Sequence, residues 1–516
     1  MSDATSSQRA GRGDRNVIGA CSLGVFVLHM LFNGRYGYFI DELYYLACSR
    51  HLDWGYVDHP PLIAVVTWLE RVTLGDSLHA LRFLPAVAAG LTVMLTGLIA
   101  RELGARRYAI VLACLGVGIA PIYLGLDNLL TMNAFEPLFW MGCALIGMKI
   151  IKGGNPKLWL LFGLLAGLGL QNKHSMLFFG FAFFVGLLLT PERRHLREPW
   201  IWLGGAIAFV IFLPNLLWEI HRHFPTIELL QNVRRSGRNV SLSWVGFLLQ
   251  QSLSLHPLAA PLWLAGLWYT FRDPAGKRFR ILGWTFLIIL FWLLVLNGRV
   301  YYLAPAYPML FAAGAMAFQN WAERHSWNWL KPAYVAVLLV TGALLAPLAC
   351  FPILTAEQYI AYVRATRLRT PRIETHRLGP LPQIYADQFG WKEMAEVVSH
   401  AYNQLSPEDQ QRCAIFGHNY GQAGAIDFFG AKMGLPNAIS GHQNYFYWGP
   451  RGYTGECVIV MDDRAEHLSR YFDSVEKVGT VYHPYSMPYE HFDVFLCRKP
   501  KFGTLQQIWP QLKSWN

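Results

Sequence analysis

Charge is what this chain has least of. Only 15% of its residues are Asp, Glu, Lys or Arg, against 53% hydrophobic. A large soluble protein with buried helices needs more charge between its apolar runs, so that class is disfavoured from the start. Its eight cysteines form no C-x-x-C pair and no Cys/His cluster at zinc spacing, which leaves no zinc motif. The stretch Gly417-His418-Asn419-Tyr420-Gly421-Gln422-Ala423-Gly424 follows a strand-like segment, but its glycines miss the G-x-G-x-x-G spacing. No acidic residue closes a βαβ unit beyond it, so a dinucleotide fold is rejected and a tight strand-to-helix turn accounts for the glycines. No nucleotide-binding loop, internal repeat or low-complexity tract stands out.

What remains is apolar and aromatic: 19 Trp, 24 Tyr and 32 Phe, arranged in repeated long apolar runs. Runs of about 17 to 25 residues match a hydrocarbon core roughly 30 Å thick. The chain therefore reads as a polytopic α-helical membrane protein with about eleven spans. They lie near 17–36, 80–100, 108–126, 132–150, 157–171, 174–190, 200–218, 243–270, 281–297, 301–319 and 330–350. In such a protein the net charge of +11 marks cytoplasmic loops rather than nucleic-acid binding. Alternate loops carry the cations: Arg101, Arg106 and Arg107; Lys149, Lys152 and Lys157; Arg193, Arg194 and Arg197; Arg272, Lys277, Arg278 and Arg280; Arg324 and Lys331. The N-terminus is then expected to be cytoplasmic. Arg9, Arg12 and Arg15 before Val17 to Phe32 have the outline of a signal peptide, but no small-x-small cleavage site follows, so a retained first span is expected.

Beyond about residue 355 the pattern changes. Arg412 to Phe416, Glu456 to Met461, Val475 to Tyr482 and Phe492 to Cys497 read as strands, and Trp391 to Leu405 and Tyr420 to Lys432 as helices. The expected division is a membrane domain, 1–354, and an extracytoplasmic α/β domain, 355–516. A disulfide among Cys413, Cys457 and Cys497 is compatible with that placement, its pairing left open.

Polar residues that this topology sends to the outer side form the candidate site. Asp41 and Glu42 follow the first span, and Asp58 and His59 share their loop. Glu136 lies at the start of the fourth span, Lys173 between the fifth and sixth, and Arg299, Tyr301 and Tyr302 between the ninth and tenth. Charge beside a span is costly and so points to function. Acids suit deprotonation of an acceptor hydroxyl, and cations suit neutralisation of a phosphate, as transfer of a sugar from a lipid phosphate requires. Without a nucleotide loop, a lipid-linked donor is the economical choice. A second outer segment, 219–243, holds His221, Arg222, His223, Arg234, Arg235 and Arg238; it fits either lipid headgroups or an anionic substrate.

These residues also carry a family resemblance. Asp41-Glu42, Asp58-His59-Pro60-Pro61-Leu62, Gly167 to Lys173 and Arg299-Val300-Tyr301-Tyr302-Leu303-Ala304-Pro305 resemble the C-type (GT-C) glycosyltransferases. The branch is that of protein O-mannosyltransferases and aminoarabinose transferases, family 39. The likeness extends to Asn419 to Asp427 and Ser440-Gly441-His442. It implies Asp41 as the catalytic base with Glu42 beside it, Lys173 near a polyprenyl phosphate, and Arg299 as a basic partner. Relatives place an aspartate where this chain has Asn133, so Glu136, three residues on, is the candidate for the second acid.

Simpler roles compete. Asp41 suits an N-cap, Glu136 a buried ion pair, His59 the Pro60-Pro61 turn, and Lys173 a snorkelling anchor. A divalent cation held by Asp41, Glu136 and His256 is conceivable on ligand type, with no cofactor required. The reading is an inverting glycosyltransferase of the cell inner (plasma) membrane, multi-pass. Its partners are a polyprenyl-phosphate sugar, membrane lipids, and an unidentified envelope acceptor (lipid, polysaccharide or protein), with no nucleic acid. The competing class is a transporter or lipid flippase, disfavoured by the absence of paired broken helices and of a two-fold repeat.

Overall fold

The computed structural model describes residues 2–368 and 370–515, with side chains from residue 13 onward, so Arg9 and Arg12 lie outside the described side chains. Among the described residues, seven helices are long and apolar enough to cross a membrane: Gly13–Phe32, Leu78–Glu102, Met132–Ile151, Pro199–His221, Gly276–Val295, Val300–Arg324 and Leu330–Ala349. A bent pair, Met176–Leu188 with Pro191–Arg197 at 108°, raises the number to eight if it is one span. The chain is a polytopic helical membrane protein with a small C-terminal sheet.

The sequence pattern suggested about eleven spans, and the difference has local causes. The apolar run at 108–126 is divided: one helix, Arg107–Gly118, stops before a second, Pro121–Leu126, which starts on its proline. The run at 243–270 splits into Trp244–Ser254 and Ala260–Arg272, around His256 with a φ of 81° and a short turn that begins at Pro257. Proline lacks the amide hydrogen that a continuing helix needs. Hydropathy alone passes over such breaks.

The chain divides into two compact units, neither contiguous in sequence. One comprises Met1–Gly34, His79–Leu217 and Ser241–Ile353; the other comprises Arg35–Leu78, Trp218–Val240 and Leu354–Asn516. The first unit is helical and has Trp140, Phe179, Phe286, Tyr307 and Phe311 in its core. Small residues let its helices approach. A side chain on Gly163 would strike the backbone of Gly204 in the neighbouring Pro199–His221 helix, the close contact that apolar spans use in place of a hydrophobic driving force.

The second unit is built on a four-stranded sheet. Its strands are β1 (Cys413–Phe416), β2 (Cys457–Met461), β3 (Phe472–Val481) and β4 (Phe492–Pro500), in the order β1-β2-β4-β3. β1 and β2 are parallel, whereas β4 runs antiparallel to both neighbours. Cys413 and Cys457 are register partners and form a disulfide, leaving Cys497 free and buried. Ala414, Val458, Val460, Phe495 and Trp509 make the core on the sheet.

In this unit the Ile40–Cys48 helix lies against the Tyr420–Phe428 helix. A Cβ on Gly424 would sit 2.8 Å from the Leu43 carbonyl oxygen, and one on Gly421 would run into Ile40. Neither glycine has a positive φ. They are contact residues rather than the turn residues that the sequence suggested. Gly424→Val is therefore expected to destabilise this unit by about 1–3 kcal/mol, the usual cost of overpacking, read as a lower melting temperature of the solubilised protein.

Candidate active-site residues

Within the second unit, the Ile40–Cys48 helix sets two adjacent carboxylates to different tasks. Glu42 is fully buried, and its carboxylate accepts the Phe39 backbone N–H at 2.8 Å, closing the first turn. The cap expected of Asp41 is thus made by its neighbour. Asp41 instead accepts a hydrogen bond at Oδ1 from the Tyr420 hydroxyl, at 2.7 Å. Burial raises its pKa to about 6, Tyr420 partly offsets that, and the nearby Asp58 adds to the rise. A carboxylate poised there is ionised at neutral pH yet retains appreciable basicity.

Asp58 is paired in the same way. The Tyr44 hydroxyl donates to its Oδ1 at 3.0 Å, and burial pushes its pKa up to about 7. Beside it His59 is completely buried, stacked on Tyr56 at 4.6 Å and edge-on to Tyr45. Its Nδ1 lies 2.8 Å from the Pro60 carbonyl, which makes it the donor there. These contacts hold the Pro60-Pro61 turn.

The cations of the 219–243 segment have separate partners. Arg238 pairs with Glu374 at 2.9 Å, and Arg222 lies over the Tyr447 ring at 4.4 Å. Arg234 and Arg235 end the amphipathic Pro225–Ser236 helix and are exposed.

The first unit holds the other cluster. Lys173 caps the Leu158–Asn172 helix, and Asn133 and Glu136 lie on the first turns of Met132–Ile151. The Lys173 ammonium donates to Glu136 Oε2 and to Asn133 Oδ1, both at 2.8 Å, and stands 4.7 Å from the centre of the Tyr302 ring. Ser175 donates to the other oxygen of Glu136. With side-chain exposures of 14% and 4%, Lys173 and Glu136 form an ion pair removed from solvent. At this pair Glu136 provides the negative charge and Asn133 a neutral acceptor. Arg299 donates to the Tyr301 hydroxyl at 3.3 Å, and Tyr301 and Tyr302 pack edge to face.

Among the described residues no group of three or more His, Cys, Asp or Glu is arranged to hold a metal ion. The three side chains considered for a divalent cation each have a partner: Asp41 has Tyr420, Glu136 has Lys173, and His256 has Thr341 at 2.9 Å.

Sequence reasoning passed over Tyr420, His442 and Ser175 as functional partners. Tyr420 lies in a stretch read for its glycines and as a helix start, and His442 in a motif noticed only as part of a resemblance. Tyr420 is 379 residues from Asp41, a separation over which no local pattern carries information.

Comparison with known proteins agrees with this architecture. The family model of dolichyl-phosphate-mannose-protein mannosyltransferases matches residues 58–218. The chain is 26% identical over 297 residues to a lipid A galacturonosyltransferase, RgtD, of Rhizobium johnstonii, covering 55% of this chain and 57% of that protein. The match thus spans a little over half the length of that relative. Among solved structures, ArnT from Cupriavidus metallidurans bound to undecaprenyl phosphate superimposes with a TM-score of 0.61 at 14% identity, over 93% of this chain and 97% of ArnT. Its apo form gives 0.59, over 94% and 98%. The fold is that of the C-type glycosyltransferases, as the sequence motifs implied.

Proposed function

We propose that this protein is an integral-membrane glycosyltransferase that moves a sugar from a polyprenyl-phosphate carrier to an acceptor hydroxyl on the outer face of the membrane, with inversion. Asp41 takes the proton of the acceptor hydroxyl as that oxygen attacks the anomeric carbon. The bond from this carbon to the phosphate oxygen breaks, and the polyprenyl phosphate leaves. Lys173 and Arg299 compensate the charge that develops on it, with Tyr301 and Tyr302 flanking them and Glu136 orienting Lys173.

The observation that carries the reading is a half-buried carboxylate, hydrogen-bonded at one oxygen and tuned to about 6, at the position that the resemblance gives to the catalytic base. ArnT with its bound undecaprenyl phosphate supports the donor class. The Cys413–Cys457 disulfide supports an extracytoplasmic location for residues 355–516, since such bonds persist in oxidising compartments. The loop charges support the same orientation for a protein of the inner membrane.

Mass spectrometry of lipid-linked sugars and envelope glycans, with and without the gene, tests the function. Loss of one glycan mass increment together with accumulation of a polyprenyl-phosphate sugar is expected. Unchanged profiles in both fractions would reject the transferase. Transfer should fall as pH drops through about 6, because protonation of Asp41 removes the base, and should level off above it.

A further inference from the structure

We propose that Tyr420, locked in place by His442, is the positioning residue that aims the Asp41 carboxylate at the acceptor hydroxyl. The inference rests on the assignment of Asp41 as base and extends it to two side chains of the C-terminal segment.

The geometry is over-determined. Asn419 begins the Tyr420–Phe428 helix, its side chain accepting the Gln422 N–H at 2.9 Å, which sets the direction in which Tyr420 leaves the backbone. The Tyr420 ring stacks with two others, Tyr44 at 4.7 Å and 29° and His442 at 4.9 Å and 14°. Its backbone N–H donates to His442 Nδ1 at 3.1 Å, so that nitrogen is an acceptor and the proton of the neutral ring resides on Nε2. The His442 backbone N–H is bonded in turn to Ser440 Oγ at 3.0 Å. Gly421 and Gly424 allow the helix to come close enough for the hydroxyl to reach Asp41 Oδ1 at 2.7 Å.

Stacking with two rings restrains the phenol, and with it the carboxylate oxygen it hydrogen-bonds. Among the described residues, Oδ2 of Asp41 makes no hydrogen bond and is the oxygen left for an incoming hydroxyl. Tyr44 and Asp58 repeat the pairing, so two carboxylates each accept a hydrogen bond from a tyrosine. The segments from Asn419 to Asp427 and from Ser440 to His442, which the sequence marks without explaining, thus act on Asp41.

Tyr420→Phe separates positioning from mere packing, because it removes the hydroxyl and keeps the ring. The full-length solubilised protein is assayed with polyprenyl-phosphate sugars extracted from the producing membranes, reading release of polyprenyl phosphate across pH, with Asp41→Asn in parallel. The expected result is a kcat lowered about tenfold, an unchanged KM for the donor, and an acidic limb moved up by about one pH unit, since losing a hydrogen bond to the charged form makes the carboxylate harder to ionise. A wild-type kcat and an unmoved limb would overturn the proposal. Should Tyr420→Phe fail to fold, His442→Asn carries the test, with a smaller shift in the same direction expected and no shift overturning it. An inactive Asp41→Asn beside an unaltered Tyr420→Phe rejects positioning alone, whereas an active Asp41→Asn rejects the base assignment itself.

Discussion

Asp41→Asn is expected to abolish sugar transfer while leaving the protein folded and membrane-inserted. A positioned general base contributes on the order of 10²–10⁴-fold, and Asn cannot take a proton at neutral pH. The fold is expected to survive because the amide oxygen of Asn can still accept the Tyr420 hydroxyl that Asp41 Oδ1 accepts. The change also removes a charge whose desolvation is unfavourable, so the melting temperature should not fall. The neighbouring acid behaves in the opposite way. Glu42 caps its own helix, and Glu42→Gln is expected to perturb the helix start. Release of polyprenyl phosphate from a lipid-linked sugar, measured beside thermal unfolding, separates these roles. Wild-type turnover in Asp41→Asn would remove the base from the mechanism.

The second large effect is at Lys173. Lys173→Met removes a cation from a nearly solvent-free pair with Glu136 and leaves that carboxylate without its counter-charge. Breaking a buried pair in this way costs about 3–5 kcal/mol, because the remaining charge is desolvated and unpaired. Loss of activity alone would therefore be ambiguous. The double variant Lys173→Met/Glu136→Gln resolves it, since neutralising both partners removes the unpaired charge. Thermal stability is expected to recover in the double variant and transfer is not, since on the proposed assignment the cation that compensates the donor phosphate is still missing. Recovery of transfer together with stability would show that Lys173 serves only to balance Glu136.

Much of this protein is legible without coordinates. Apolar runs long enough for a bilayer declare a membrane protein wherever they occur, because the requirement is set by bilayer thickness and acts on consecutive residues. The short continuous apolar run Cys457–Met461 suits a fully buried strand for a similarly local reason. The motifs around Asp41, Lys173 and Arg299 single out the polar residues to examine.

Local pattern fails at the breaks and at the partnerships. His256 and Pro257 end one helix and turn the chain within what hydropathy reads as one span. Hydropathy likewise does not reveal that residues 35–78 and 218–240 fold with the C-terminal sheet. Only the tertiary structure decided that Glu42 is a cap, that Glu136 answers Lys173, and that Asp41 is held by Tyr420. The physical reason is the same in each case. Hydrophobicity and helix period are properties of neighbouring residues, whereas a buried polar group takes whichever partner folding brings within 3 Å, at any distance along the chain.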